Sequence, residues 1–321
     1  MALIGFHSSH EQIPPSRLLH DVQAAEQAGF GAAMSSDHLS PWSARQGESG
    51  YAWSWLGAAM ATTHLPFGVV TAPGQRYHPA VTAQAIATLA EMFPQRFWVA
   101  LGSGEASNEW VTGEGWPPKE VRDQRLVECV EVIRALLAGE EVDHDGLVTV
   151  VRGKLWTLPE APPELVGPAV TPATAARHAA WADGLITVNQ PHDVLRELLA
   201  AYRDSGGRGR ARLQVHLSWA PTDEEALGIA MDQWRSNVFG PPFAWDAMTV
   251  EMFDQVTESV TPDQVRSAVL VSADLCRHAA WLQEYVDLGF DELYLHFVGK
   301  EQQPFIDAFA ESVLPQLEAA S

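Results

Sequence analysis

The chain has 321 residues, of which 46% are apolar and 19% are charged, and its 20 Lys and Arg stand against 41 Asp and Glu for a formal net charge of −21. This composition excludes a disordered or low-complexity protein, and the shortage of cations argues against nucleic acid and against an anionic membrane surface as partners. No apolar run approaches the roughly 20 residues of a membrane helix, and the first residues lack the segments of a signal peptide, so we expect a cytoplasmic protein.

A short apolar strand, a loop and a helix recur along the chain, and no linker or charge run divides it, so we expect one domain over residues 1–321. Strands are predicted at Leu3–His7, Gly31–Ser35, Phe67–Thr71, Phe97–Leu101, Leu165–Val170, Gly184–Val188, Leu213–Trp219 and Glu292–Phe297. Helices are predicted after Pro14-Pro15-Ser16, over Trp55–Thr63, from Pro79, and over Pro118–Leu137, Pro172–Trp181, His192–Tyr202, Asp223–Trp234 and Gln302–Leu317.

Two segments interrupt this rhythm. Glu141–Leu158 is typical of a hairpin turning at Asp145-Gly146, and Phe239–Pro262 is predicted to be an irregular insertion. Eight strand–helix units predict an α/β protein of the (β/α)8 TIM-barrel type, with insertions after strands four and seven. The alternative is a doubly wound sheet, which usually has a glycine-rich turn after its first strand, where this chain has residues 8–11, Ser-Ser-His-Glu.

Catalytic groups of such a barrel lie in the loops that follow the strands. After strand two, Asp37 and His38 place a carboxylate beside an imidazole, with Trp42 nearby, and these groups can hold a planar cofactor and move a proton near neutral pH. After strand four, residues 102–109 combine two glycines, which let the backbone approach a ligand, with Glu105, which we expect at the barrel mouth. Taken alone, the loop after strand two fits an ordinary turn equally well, and the loop after strand four fits a turn with a solvated glutamate somewhat less well.

Other kinds of site find less support. The 12 histidines include no His-x-His pair after strand one and no HExxH, and the two cysteines, Cys129 and Cys276, are expected to be small core residues on helices. We therefore predict no metal site. A GxSxG motif is absent as well, which weighs against a serine hydrolase.

Three segments together carry a resemblance to a known family: Ser-Asp-His-x-x-Pro-Trp at residues 36–42, Arg-Tyr-His-Pro at 76–79 and Gly-Ser-Gly-Glu-x-x-Asn-Glu at 102–109. The chain resembles the luciferase-like flavin and deazaflavin oxidoreductases over nearly its whole length. It is most similar to the branch of F420-dependent glucose-6-phosphate dehydrogenases, and it also resembles a subset of that branch set apart as flavinoid oxidoreductases that do not use F420. The resemblance implies a TIM barrel, a homodimer, and coenzyme F420 or FMN in the barrel mouth.

The resemblance also implies roles for individual residues. His38 and Glu105 match the acid–base pair of the family, and Trp42 matches an aromatic residue that lines the reacting ring. Val69 and Val70 fall where the family carries a cis peptide bond that supports the ring. Further cofactor contacts are implied for Asp37, Ser103, Gly104 and Asn108.

The chain departs from the family pattern at several positions. Val170-Thr171 replaces a Gly-Gly pair after strand five, and Ala72 stands where a hydroxyl-bearing residue is expected. Of the sugar-phosphate clamp, the threonine position holds Val188 and the arginine position holds Ser267. Since a desolvated phosphate needs cationic partners, we predict that glucose 6-phosphate is not the substrate, and the choice between F420 and FMN stays open.

The sequence therefore predicts a flavin- or deazaflavin-dependent oxidoreductase that transfers a hydride between the cofactor ring and a small organic substrate. One alternative is an FMN-dependent monooxygenase that uses O2 and flavin reduced by a separate reductase. The other is a non-catalytic flavin-binding barrel.

Overall fold

Eight parallel strands close on themselves in the computed structural model, which describes residues 2–319; Met1 and residues 320–321 of the predicted domain lie outside the described residues. In chain order the strands are β1 (Leu3–Ser8), β2 (Ala32–Ser36), β3 (Phe67–Thr71), β4 (Phe97–Leu101), β5 (Val142–Asp145), β6 (Thr149–Gly153), β7 (Glu164–Pro168), β8 (Gly184–Val188), β9 (Ala211–Ser218), β10 (Leu270–Val271) and β11 (Glu292–Phe297). The barrel runs β1-β2-β3-β4-β7-β8-β9-β11 and returns to β1, with β10 added beside β9 and β5-β6 forming a separate antiparallel hairpin.

Helices cover the outside of the barrel. They are α1 (Pro15–Gln27), α2 (Ala52–Thr62), α3 (Pro79–Met92), α4 (Ala106–Glu109), α5 (Lys119–Leu137), α6 (Pro172–His178), α7 (His192–Asp204), α8 (Asp223–Gln233), α9 (Phe243–Asp246), α10 (Val250–Thr257), α11 (Pro262–Ala268), α12 (Leu275–Asp287), α13 (Gln302–Ser312) and α14 (Leu314–Ala319), with 3-10 turns at Trp110–Thr112 and Arg235–Val238. Their apolar faces pack on the strands: in α1, which begins at a proline, Leu18, Val22 and Ala25 are buried at helical spacing.

The predicted TIM barrel is confirmed, with its two insertions. The structure departs from the prediction in the second insertion, which contains α9 and α10, and in the chain between that insertion and β11. The elements α11, β10 and α12 there were not among those predicted, although Cys276 was expected on a helix and lies on α12. Strand five ends at Pro168 rather than Val170, because the chain turns there toward Thr171, whose side chain accepts a hydrogen bond from the Thr174 amide and caps α6. Cys129 is buried as predicted, but Cys276 is exposed.

The interior of the barrel is filled by side chains rather than open. Trp98 and Tyr294 meet at its centre, where the Trp98 indole donates to the Tyr294 hydroxyl at 3.1 Å. A Cβ on Gly68 would lie 1.9 Å from the Trp98 ring, so only glycine lets that indole fill the barrel. Below them, Arg212 and Glu292 pair at 2.9 Å and form a charged floor. Because the barrel is packed, ligands must bind at its ends, and the loops after the strands provide the larger surface.

Candidate active site

Three ionisable side chains meet at the carboxyl end of the barrel. Glu11 follows β1, His38 follows β2 and Glu105 follows β4, immediately before α4. Parallel strands deliver their following loops to the same end of the barrel, which is why residues far apart in sequence become neighbours here.

The three groups form one chain of contacts. His38 Nδ1 lies 2.5 Å from Glu11 Oε1, and His38 Nε2 lies 3.5 Å from Glu105 Oε2. The second oxygen of Glu11 accepts a hydrogen bond from Ser9 Oγ at 2.7 Å. The structure thus places His38 beside Glu105 and adds Glu11, which was not among the candidates. A signal for it existed, because Glu11 is a carboxylate just after strand one, a position comparable to those of the other two.

Charge and burial shift the pKa values of this set. Burial opposes the charge on His38, but the carboxylates of Glu105 and Glu11 and the hydrogen bond to Glu11 outweigh it and raise the pKa of His38 to about 9. Burial alone would raise the pKa of Glu11, but the hydrogen bond and the charge of His38 outweigh it and lower that pKa to about 2. Burial raises the pKa of Glu105, against the smaller opposing effect of His38. At neutral pH the set therefore holds an ionised Glu11, a protonated imidazole and a carboxyl group with a raised proton affinity.

Asn108 fastens the loop after β2 to α4. Its amide nitrogen donates to Glu105 Oε2 at 3.0 Å, and its oxygen accepts from the backbone amides of Leu39 and Ser40 at 2.8 and 3.2 Å. Because one buried side chain uses both ends of its amide in this way, the carboxylate of Glu105 and the backbone next to His38 are held in a fixed relation.

Asp37 lies below this surface and is buried. Its carboxylate accepts hydrogen bonds from Thr71 Oγ1 at 2.8 Å and from Tyr77 Oη at 3.2 Å, and it also contacts Arg76. Both oxygens are thus already bonded within the protein. A cofactor contact by this residue, as the resemblance implies, remains a prediction.

Trp42 connects the acid–base groups to the second insertion. Its ring lies edge-on to His38 with centroids 5.3 Å apart, and Phe253 packs against it at 5.2 Å. We call residues 239–257 the strap. The carboxylate of Asp254 binds the strap to the loop after β2 by accepting from Ser43 Oγ at 2.5 Å and from the Ala44 amide at 3.0 Å.

The other end of the strap is bound to the loop after β4. Asp246 accepts from the Trp116 indole at 2.8 Å and from Arg122 at 3.3 Å, and that guanidinium lies over the Trp116 ring. The strap therefore bridges the loops after β2 and β4, the two loops that carry His38 and Glu105.

The chain matches a known family over most of its length. The sequence profile described as luciferase-like monooxygenase matches residues 1–292. The chain belongs to the luciferase-like monooxygenase family. Among the curated relatives, an F420-dependent glucose-6-phosphate dehydrogenase of Microbacterium testaceum is 33% identical over 98% of this chain and 96% of the relative. An F420-dependent hydroxymycolic acid dehydrogenase of Mycobacterium tuberculosis is 33% identical over 98% of this chain and 88% of the relative.

A solved structure agrees with this assignment. An F420-dependent secondary alcohol dehydrogenase in complex with an F420-acetone adduct superposes with a TM-score of 0.91 at 26% identity, covering 98% of this chain and 99% of the other. As a member of this family with F420-dependent dehydrogenases among its relatives, the chain is an oxidoreductase.

The remaining predicted cofactor residues of this luciferase-like barrel lie around one half of the mouth. The half-buried positions there are Val70, Ala72, Ser103, Gly104, Val170 and Thr171, whereas Val69 is buried. Gly104 has φ +83°, a conformation that strains any side chain. The Val69–Val70 bond is trans, contrary to the family pattern, and among the described residues only Pro241–Pro242 is cis.

This half of the mouth is the part that the resemblance assigns to a flat cofactor ring. Its surface is made of small or apolar groups, and a Cβ on Gly102 would be in ordinary van der Waals contact with Pro168, at 3.5 Å. The acid–base groups border it. The described residues contain no cluster of three or more His, Cys, Asp or Glu side chains that could hold a metal ion. No described helix is both long and apolar enough to cross a membrane.

Proposed function

We propose that the chain is an F420-dependent dehydrogenase or reductase that interconverts a small uncharged alcohol and its carbonyl form, with His38 and Glu105 as the acid–base pair. The observation that carries this proposal is the Glu11–His38–Glu105 chain of contacts beside the half of the mouth that the resemblance assigns to a flat cofactor ring. When bound, a deazaflavin or flavin ring supplies the group that accepts or donates the hydride.

His38 has the properties of the proton-exchanging group. It is partly exposed, its side chain retaining 16% of its accessible surface, while Glu11 on its other side is buried and ionised. A pKa of about 9 means that the imidazole is protonated at neutral pH and can give its proton to a forming alkoxide. Alcohol oxidation requires the neutral imidazole as base. We therefore expect the oxidation rate to rise with pH toward about 9 and the reduction rate to fall above it.

The charges around the site support an uncharged substrate. Arg76 after β3 is paired with Asp37, and Arg122 on α5 is paired with Asp246. At the threonine position of the sugar-phosphate clamp in the family pattern, this chain has Val188, which is apolar and half-buried. A phosphate in this site would have to displace an existing ion pair, at a cost that an uncharged alcohol avoids.

The substrate proposal needs a direct test, because curated relatives bear the name glucose-6-phosphate dehydrogenase. Turnover of glucose 6-phosphate and of short secondary alcohols is measured with F420. We expect turnover of an alcohol and none of the sugar phosphate at micromolar concentration. Efficient oxidation of the sugar phosphate would overturn the exclusion.

The cofactor proposal rests on the F420-dependent relatives, and FMN is its competitor. The purified protein is titrated with F420 and with FMN in separate experiments, binding is followed by absorbance, and the two dissociation constants are compared. We expect tighter binding of F420. The replacement of the glycine pair by Val170-Thr171 is the feature that would account for the opposite result.

The role of His38 is tested by His38→Ala. We expect kcat to fall at least about tenfold, since general acid–base catalysis contributes about 10²- to 10⁴-fold, with little change in cofactor affinity. Equal losses in kcat and in cofactor affinity would instead mean that His38 only positions the ring.

The name of the matching profile makes a monooxygenase the second candidate. Oxygen uptake coupled to oxidation of reduced FMN, and absent with reduced F420, would favour it. We also propose a homodimer, as the resemblance implies, and sedimentation velocity of the purified protein tests this.

A further inference from the structure

A buried arginine lies between the two loops that carry the acid–base pair. Arg76 follows β3, and its side chain retains only 9% of its accessible surface. Its Nη2 donates to the backbone oxygen of Asp37 at 2.7 Å and approaches Asp37 Oδ2 at 3.3 Å. Asp37 directly precedes His38, so the guanidinium holds the backbone from which His38 projects.

The same residue also contacts the segment that carries Glu105. The Arg76 amide donates to Glu109 Oε2 at 2.7 Å, and Arg76 Nε lies 3.6 Å from Glu109 Oε1. Glu109 in turn donates its own amide to the backbone oxygen of Glu105 at 3.1 Å, because the two are one helical turn apart in and before α4. Arg76 therefore touches both segments, on opposite sides.

The chemistry of this position calls for arginine. The side chain of Arg76 donates through Nη2 to Asp37, while its Nε faces Glu109 Oε1 at 3.6 Å as an ion-pair contact without a hydrogen bond. A planar guanidinium can face two segments in this way, which the single nitrogen of lysine cannot do in the same geometry. Tyr77 fixes the plane further: the Arg76 guanidinium lies 4.5 Å from the centre of its ring, and the Tyr77 hydroxyl bonds the same Asp37 carboxylate.

We infer that Arg76 is a positioning residue for the proposed acid–base pair, setting the separation of His38 and Glu105 by joining Asp37 to Glu109. This inference rests on the proposed function. Arg76 is bonded to protein groups and acts through Asp37 and Glu109 rather than on a substrate.

The charge of Arg76 acts on the same pair. It lowers the pKa of His38, as burial does, against the larger upward effects of Glu105 and Glu11, and it lowers the pKa of Glu105 against the larger upward effect of burial. The remaining charged or titratable groups that face His38 are Glu11 and the buried His7 and His10. Removing the positive charge of Arg76 should therefore raise the pKa of His38, while a lysine should largely preserve it.

Two substitutions separate position from charge. Arg76→Lys keeps the positive charge and loses the planar guanidinium. Arg76→Met loses both the charge and the guanidinium while keeping a side chain of similar length. We expect Arg76→Lys to lower kcat about 10- to 100-fold with little change in KM, because a displacement of about 1 Å can cost that much, and to leave the pH profile in place. We expect Arg76→Met to lower kcat at least as far and to move the profile to higher pH.

The matched control is Arg96→Lys. Arg96 lies just before β4, at the opposite end of the barrel, and bonds only backbone oxygens, those of Met60, Thr63 and Leu65. Its loss should lower the melting temperature and leave kcat unchanged. Partial restoration of kcat in Arg76→Ala by added guanidinium, but not by ammonium, is a further expected result.

One measurement is independent of turnover. The NMR titration of the His38 ring, in the full chain with no cofactor added, should show a higher pKa in Arg76→Met than in Arg76→Lys. Wild-type kcat in Arg76→Lys would overturn the inference. So would a His38 pKa that is the same in both variants, or a kcat loss that only follows the loss of folded protein. If the wild-type chain turns over no alcohol, the proposed function fails, and the titration still decides whether Arg76 controls His38.

Discussion

The mouth and the floor of the barrel both bury acids beside bases, yet they differ in what those groups can do. At the floor, Arg212 donates to Glu292 at 2.9 Å and to Glu164 at 2.6 Å and retains only 2% of its side-chain surface. At the mouth, His38 and Glu105 retain 16% and 23% of theirs. The Arg212–Glu292 pair at the floor is buried, whereas the His38–Glu105 pair at the mouth is partly exposed and within reach of a ligand.

The difference in base decides the difference in role. An arginine does not lose its proton in proteins, so the floor pairs hold a constant charge and can only contribute to stability and fold. A histidine exchanges its proton within the accessible pH range, and at the mouth it does so beside a carboxyl group whose pKa is raised. A buried ion pair is therefore poor evidence of an active site unless one of its members can titrate and meet a ligand.

The largest expected effect is a loss of stability in acid, and it arises from buried histidines. Beneath the mouth His7 stacks on His296 with ring centres 4.2 Å apart, and His216 lies 5.2 Å from His296. Burial lowers the pKa of His7 to about 4 and of His216 to about 3, below the value of 6.5 for an exposed histidine. As the pH falls, these histidines bind protons in the unfolded chain before they do so in the folded chain. Their contribution to the free energy of unfolding is therefore fully present above pH 6.5 and is lost as the pH drops toward 4.

Urea unfolding at pH 7.5, 6.5, 5.5 and 4.5 measures this loss. Each such histidine lowers the free energy of unfolding by about 1.4 kcal/mol per pH unit as the pH falls from 6.5 toward its folded pKa. His38 has the opposite sign: its folded pKa of about 9 gives stability that is present below pH 6.5 and lost as the pH rises through 9. Together, His38 and the buried histidines should therefore give a maximum of stability near pH 6.5. A free energy of unfolding that does not change from pH 7.5 to 4.5 would contradict the burial of His7 and His216 in the neutral form.

The floor should respond to substitution through stability alone. Arg212→Met leaves Glu292 and Glu164 without their shared partner, although Arg210 still reaches Glu292 at 2.9 Å. Breaking a buried pair in this way costs about 3 to 5 kcal/mol, so we expect a large fall in the free energy of unfolding and an unchanged kcat per folded molecule. Glu164→Gln, at a half-buried position, is the milder control. A fall in kcat beyond the loss of folded protein would show that the two ends of the barrel are coupled.

The fold was far more accessible from the sequence than these contacts. The eight barrel strands follow from short apolar runs, each of which is a local signal, and the position of His38 after β2 follows from the same pattern. The link from His38 to Glu11 depends on how β1 and β2 align in the sheet, and the link from Asp37 through Arg76 to Glu109 spans three loops. The strap was predicted to be irregular because its short helices interrupt any periodic pattern, and Asp254 and Asp246 become anchors only once the barrel has closed.

Glu11 should have a smaller effect than the floor arginine, and a different one. Glu11→Gln keeps the size of the side chain and removes the charge that helps raise the pKa of His38. We expect that pKa to fall and the pH profile to move to lower pH. A return to the ordinary value of about 6.5 would leave roughly a tenth of the imidazole protonated at pH 7.5, so kcat for carbonyl reduction at that pH should drop by up to about tenfold. Ser9→Ala, which removes only the 2.7 Å hydrogen bond to the other oxygen of Glu11, is the control and should have a weaker effect. An unshifted profile in Glu11→Gln would assign the raised pKa to Glu105 alone.

The smallest expected effect concerns the strap. Asp254→Asn should weaken the bonds to Ser43 and Ala44, which join the strap to the loop after β2. Because charge-assisted hydrogen bonds at a partly exposed site contribute about 1 kcal/mol, we expect KM for the substrate to rise about two- to fivefold while kcat stays near its original value. Asp246→Asn loosens the opposite anchor at Trp116 and should act the same way. If either variant lowers kcat with KM unchanged, the strap must help to align His38 through Trp42 rather than merely retain the substrate, and the mouth would then extend to residues that lie outside the barrel.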